Sequence, residues 1–111
     1  MFKVVEETHA DLLRQGVAPD MVFAFRGPSV KLISSQSFDM TSEEQKAREE
    51  VINWIKKFTQ KSNINMEACS VATRLLGVDN ETIISEISPV GNTFVSLIGY
   101  QNKGYALIPL Y

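Results

Sequence analysis

Met21-Val22-Phe23-Ala24-Phe25-Arg26-Gly27-Pro28 decides the fold. Its first five residues are continuously apolar, with no polar alternation. A run this short and this apolar is the pattern of a strand buried on both faces, as in a parallel sheet. Gly27-Pro28 breaks it, and Ser29 to Ser34 can form a short helix with Val30, Leu32 and Ile33 inward. Upstream, Val4, Val5, Leu12 and Leu13 fall on one helical side, so roughly residues 3–15 read as a helix ended by Gly16.

Downstream of a polar loop, Thr41 or Ser42 can cap a helix with Glu44 or Gln45 three residues on, a capping-box pattern. Ala47, Val51, Trp54, Ile55 and Phe58 then recur as one apolar stripe. Lys56, Lys57 and Lys61 near its end complement the helix dipole. A brief strand follows over Asn63 to Met66, then Cys69, then a helix from Ser70 to Leu76 closed by Gly77. Asp79 and Asn80 suit the cap of another short helix through Ile84. Ile87 to Val90 is a third strand, and Gly91-Asn92 turns into a helix carrying Phe94, Leu97, Ile98 and Gln101. Gly104 sits at its C-cap, and Tyr105 to Ile108 reads as a last strand.

Strands separated by helices imply parallel pairing with right-handed crossovers. The predicted fold is a three-layer α/β domain with a mainly parallel sheet. Its chain opens on a helix where such folds usually open on a strand, so the sheet lacks its usual first strand or completes it from elsewhere. No repeat or linker divides the 111 residues, and residues 1–111 are expected to form a single domain.

Composition excludes several functions. The formal net charge of −2 argues against a general binder of nucleic acid or of anionic membranes. No apolar run approaches the ~20 residues that span a bilayer. The N-terminus is too short and too acidic for a signal peptide, and a single cysteine excludes an internal disulfide, so a cytoplasmic setting is expected. One His and one Cys cannot build a zinc site within one chain, and the carboxylates lack calcium-loop spacing. His9, the only base for a serine triad, falls in a helical pattern and reads as a helix-face residue at the core edge. No Gly-x-Gly-x-x-Gly or phosphate-loop pattern is present, and no cofactor is expected.

In an open parallel sheet, ligands bind outside the carboxyl ends of the strands. That rule selects Arg26-Gly27, Ala68-Cys69-Ser70 and Gly91-Asn92. Cys69 then stands at the mouth of a crevice and at the start of a helix, where the positive helix end, and Arg26 if it is near, favour the thiolate. A thiolate there can accept a sulfane sulfur as a persulfide and pass it on, which needs one thiol, no metal and no base. The plainer reading is a buried cysteine serving as a small hydrophobe. Gly27 and Gly91 are equally turn formers, Arg26 a surface ion-pair residue, and Asn92 a helix N-cap.

Three stretches, in order and spacing, resemble the DsrE-like family: Phe25 to Ile33, Ala68-Cys69-Ser70-Val71-Ala72-Thr73-Arg74-Leu75-Leu76-Gly77-Val78, and Pro89-Val90-Gly91 through Gln101-Asn102-Lys103-Gly104-Tyr105-Ala106. The resemblance covers roughly residues 19–108. It implies a flavodoxin-like α/β fold and homo- or hetero-oligomers, often trimers or hexamers. It also implies a relay cysteine, matching Cys69, that accepts and hands on persulfide sulfur between donor and acceptor proteins. Arg26, Gly27, Ser70, Gly91 and Asn92 are expected to line the pocket. The competing expectation is a non-catalytic oligomeric module that binds a small ligand or a partner protein in the same crevice. Trp54, Tyr100, Tyr105 and Tyr111 are aromatic candidates for an interface.

Overall fold

A computed structural model describes residues 1–110, and Tyr111, an interface candidate above, lies outside them. The chain opens on α1 (Phe2–Arg14), followed by β1 (Met21–Phe25) and a 3-10 helix over Gly27–Ile33. Next come α2 (Ser42–Phe58), β2 (Ile64–Cys69), α3 (Ser70–Leu75), a 3-10 turn at Asn80–Thr82, β3 (Ser88–Val90) and α4 (Thr93–Asn102). The three strands form one parallel sheet in the order β1-β2-β3. Phe25 lies opposite Ala68, and Cys69 lies opposite Val90. All three carboxyl ends therefore open on the same edge, with Cys69 on the central strand.

Side chains alternate across a strand, so β2 offers two different faces. Met66 and Ala68 face the apolar core, where Phe58 of α2 meets Phe23 of β1 with ring centroids 5.2 Å apart. Phe58 also touches Trp54 and Phe2, and the Phe2 ring stacks on Trp54 at 6.1 Å. These contacts, with the Glu6–Lys57 ion pair of 2.7 Å, fasten α1 onto α2. Glu67 faces the opposite side, where α4 lies across β1 and β2, and Cys69, the last residue of the strand, is buried with the core cluster. Helices thus lie on both faces of the sheet, the three-layer arrangement expected.

Local signals in the sequence account for most boundaries. The Thr41 side chain accepts from the Glu44 N–H at 3.1 Å, and the Glu44 carboxylate accepts from the Thr41 N–H, closing the capping box of α2. Gly77 and Gly104 adopt φ of 69° and 96° just past α3 and α4, a conformation that costs a residue with a Cβ. After α4 the Tyr105 N–H returns to the Tyr100 carbonyl and the Gly104 N–H to the Gln101 carbonyl, the paired closure of a Schellman motif. On α1, Val5 and Leu12 are half-buried and His9 is buried, whereas Val4 and Leu13 of the expected stripe are exposed.

Two expectations about strands are corrected. The strand expected over Asn63 to Met66 runs on to Cys69, because it pairs with β1 along its whole length and then with β3 at its end. No strand forms over Tyr105 to Ile108. The Tyr105 N–H is consumed in closing α4, and the Tyr105 hydroxyl is tied to Asp20 at 2.9 Å. The neighbouring template is also poor: β3 has three residues with Pro89, which lacks an N–H, at its centre.

Candidate functional site

Cys69 ends β2 and is the N-cap residue of α3, with φ −79° and ψ 116°. Its extended backbone turns the chain out of the sheet, so Val71 and Ala72 carry N–H groups that no preceding helical turn occupies. The residue is 3% exposed. Burial opposes ionisation of its thiol. Four hydrogen-bond donors work against that: the backbone N–H and the hydroxyl of Thr93, and the backbone N–H groups of Ala72 and Val71. The donors prevail, and the thiol is lowered from an ordinary 9.0 to about 7. α3 has only six residues, so these local donors, rather than an extended helix dipole, carry the effect.

Thr93 lies at the same edge as Cys69 because β3 and β2 are paired. Val90 sits opposite Cys69, Gly91 makes the exposed turn, and Asn92 caps α4 by accepting from the Phe94 N–H at 2.9 Å. Thr93 is the first residue of α4 and is fully buried. Its Oγ1 has no hydrogen-bond partner among the described residues, and it is one of the groups that favour the ionised form of the Cys69 thiol.

The other expected site residues divide into two groups. Arg26 follows β1, and its guanidinium carbon lies 3.6 Å from the centroid of the Phe94 ring. This cation–π contact links the end of β1 to the start of α4, on either side of the end of β2. Asn92 and Gly91 belong to the same edge through the Thr93 turn. Gly27 opens the 3-10 helix with φ 61°, a structural turn in which the glycine supplies the left-handed conformation. Ser70 is drawn away from the sulfur: its hydroxyl accepts from Asn80 Nδ2 at 3.0 Å, and its carbonyl accepts from the Thr73 hydroxyl at 3.1 Å.

Sequence reasoning did not single out Thr93, and it treated Phe94 as a helix-face residue only. The available signal was position: Thr93 directly follows the N-cap candidate Asn92, just past the carboxyl end of the third predicted strand. A second polar feature lies on the same face. The Tyr100 hydroxyl donates to Glu67 Oε2 at 3.1 Å, and Tyr100 is pushed above its usual value by burial and by that carboxylate.

The arrangement defines an α/β protein with an acidic thiol at the carboxyl edge of a parallel sheet. Residues 7–110 match the model of the DsrE/DsrF-like family, and the chain belongs to that family. A solved structure of a protein of unknown function from Methanobacterium thermoautotrophicum superposes with a TM-score of 0.71, at 19% identity, over 96% of this chain and 81% of that one. The likeness fits a flavodoxin-like α/β fold. An uncharacterized protein from Aquifex aeolicus (strain VF5) is 22% identical over 110 residues, covering 96% of this chain and 47% of the relative. The chain thus spans about half the length of that curated relative. Among the described residues, no helix is long and apolar enough to cross a membrane.

Proposed function

We propose that this protein is a sulfur-relay carrier that holds sulfur as a persulfide on Cys69. The observation that carries this reading is the place of Cys69: a buried thiol that ends the central strand and is the N-cap residue of α3, at the carboxyl edge of the parallel sheet. A thiol at about 7 is substantially thiolate at neutral pH and still nucleophilic. Membership of the DsrE/DsrF-like family supports a role related to sulfur relay.

The step is balanced without an external oxidant. The Cys69 thiolate attacks the outer, sulfane sulfur of a donor persulfide. A new S–S bond forms on Cys69 as the donor's S–S bond breaks, and the donor leaves as a thiolate with both bonding electrons. An acceptor thiolate then attacks the same outer sulfur, and Cys69 leaves as the thiolate it began as. Backbone N–H groups, together with Arg26, Gly91 and Asn92 along the same edge, offset the charge that develops. Gly27 shapes the turn and Ser70 the start of α3.

Loading a sulfur this buried requires local opening. Arg26 and Phe94, paired at the same strand edge and exposed, are the side chains whose movement is to be tested as that opening. Donor and acceptor proteins supply and collect the sulfur, in a reducing compartment such as the cytoplasm. A homo-oligomer, trimer or hexamer, is the assembly to test by sedimentation.

Intact mass after exposure to a persulfide donor, wild type against Cys69→Ser, tests the reading. A reversible gain of one sulfur on the wild type alone is expected. No gain on folded wild type with a reactive thiol sinks it. The 3% exposure of Cys69 favours a second reading, a binding module whose thiol is incidental. That reading requires a thiol that resists alkylation in the folded protein and partner binding that survives Cys69→Ala.

A further inference from the structure

We infer that Thr93 is a positioning residue for the sulfur centre, holding the Cys69 sulfur in its anionic form through its side-chain hydroxyl. The inference deepens the persulfide reading, because the same donor serves a thiolate and the anion of a bound persulfide. It rests on two independent features of the fold. Thr93 is fully buried at the first turn of a ten-residue helix, placed beside Cys69 by the Val90–Cys69 register. Its Oγ1 is a buried polar atom with no hydrogen-bond partner among the described residues.

An orphaned buried hydroxyl carries the full desolvation penalty of its lost hydrogen bond to water. A neutral thiol is a weak acceptor and relieves little of that cost, whereas a sulfur anion is a strong acceptor and relieves much of it. The unpaired hydroxyl therefore favours the charged sulfur. Valine in this place would pack equally well without the donor.

The charged groups around this end do not duplicate that role. Arg26 from β1 lies on the Phe94 ring, and Glu67 of β2 accepts from Tyr100 of α4. β3 carries no titratable side chain, and Arg74 of α3 is exposed.

The test is a pH titration of thiolate absorbance on the full chain, with Cys69→Ser as the blank. Thr93→Val and Thr93→Ala should move the midpoint up by about one pH unit. Thr93→Ser, which keeps the hydroxyl, should titrate with the wild type. Equal midpoints in the Ser and Ala variants would overturn the inference, as would an unmoved Thr93→Val. A measurement on the wild type avoids any folding defect. The Thr93 amide and side-chain NMR resonances should shift with the Cys69 midpoint, and should lose that transition in Cys69→Ser. Resonances blind to the Cys69 titration refute the role. Sulfur loading is not read in either experiment. Failure of loading with a shifted Thr93→Val sinks the relay and leaves Thr93 in place; loading with unshifted variants does the reverse.

Discussion

Raising the pH should stabilise the wild-type protein relative to Cys69→Ala. The sign follows from two opposing effects on one thiol. Burial alone makes the folded thiol a weaker acid, so stability would fall as pH rises. The donors from Thr93, Ala72 and Val71 make it a stronger acid, and they win, lowering it from 9.0 to about 7. Between those two values the unfolded chain binds more protons than the folded one, so unfolding becomes costlier as pH rises. The contribution is complete above the unfolded value and is lost as pH falls through the folded one. A hundredfold change in acidity is worth about 3 kcal/mol. Urea denaturation of both proteins, from below pH 7 to above pH 9, should therefore show their stability difference growing by about 2–3 kcal/mol. Removing the sulfur also leaves a small cavity, but that cost does not depend on pH. Tyr100 and Tyr105 titrate in both proteins and cancel in the difference. A flat difference would refute the donor arrangement around Cys69, and a falling one would show that burial outweighs it.

Three further perturbations probe other levels of the structure. Phe94→Ala removes the ring beneath the Arg26 guanidinium; an exposed cation–π contact is worth about 0.5–1 kcal/mol, so alkylation of folded Cys69 should accelerate about two- to fivefold. An unchanged rate would mean that this pair does not restrict access to the sulfur. Phe58→Ala empties the junction of Phe2, Phe23 and Trp54 and should cost about 3–5 kcal/mol by denaturation, with a change in Trp54 fluorescence; a loss below 1 kcal/mol would contradict the packing of α2 on the sheet. Thr41→Ala opens the capping box of α2 and should cost about 1 kcal/mol without altering the Cys69 titration, since the cap is remote from the sulfur.

The long helices and the class of fold were legible in the residue pattern, whereas the short helices expected over Ser29 to Ser34 and through Ile84 are 3-10 segments at Gly27–Ile33 and Asn80–Thr82. The capping box at Thr41 and Glu44 and the glycines at 77 and 104 are local devices, satisfied within a turn or two of chain. The unbroken apolar run of Met21 to Phe25 sufficed for a buried parallel strand. Cys69 was conspicuous as the lone thiol after a strand, and Arg26, Gly91 and Asn92 followed from the rule that sites gather at strand ends. Only the tertiary structure decided how far β2 extends and whether a fourth strand forms. Strand length is set by the partner's register, and the apolar signal of Tyr105 to Ile108 is no use without a donor-rich edge to pair with. The same holds at the sulfur. Thr93 is 24 positions from Cys69 in the chain. It comes to the same edge as Cys69 because two strands pair in one register and α4 starts immediately beyond. Ser70, adjacent in sequence, turns its hydroxyl to Asn80 instead. Hydrogen-bond donation depends on distance and direction in space, and neither is encoded in the order of residue types.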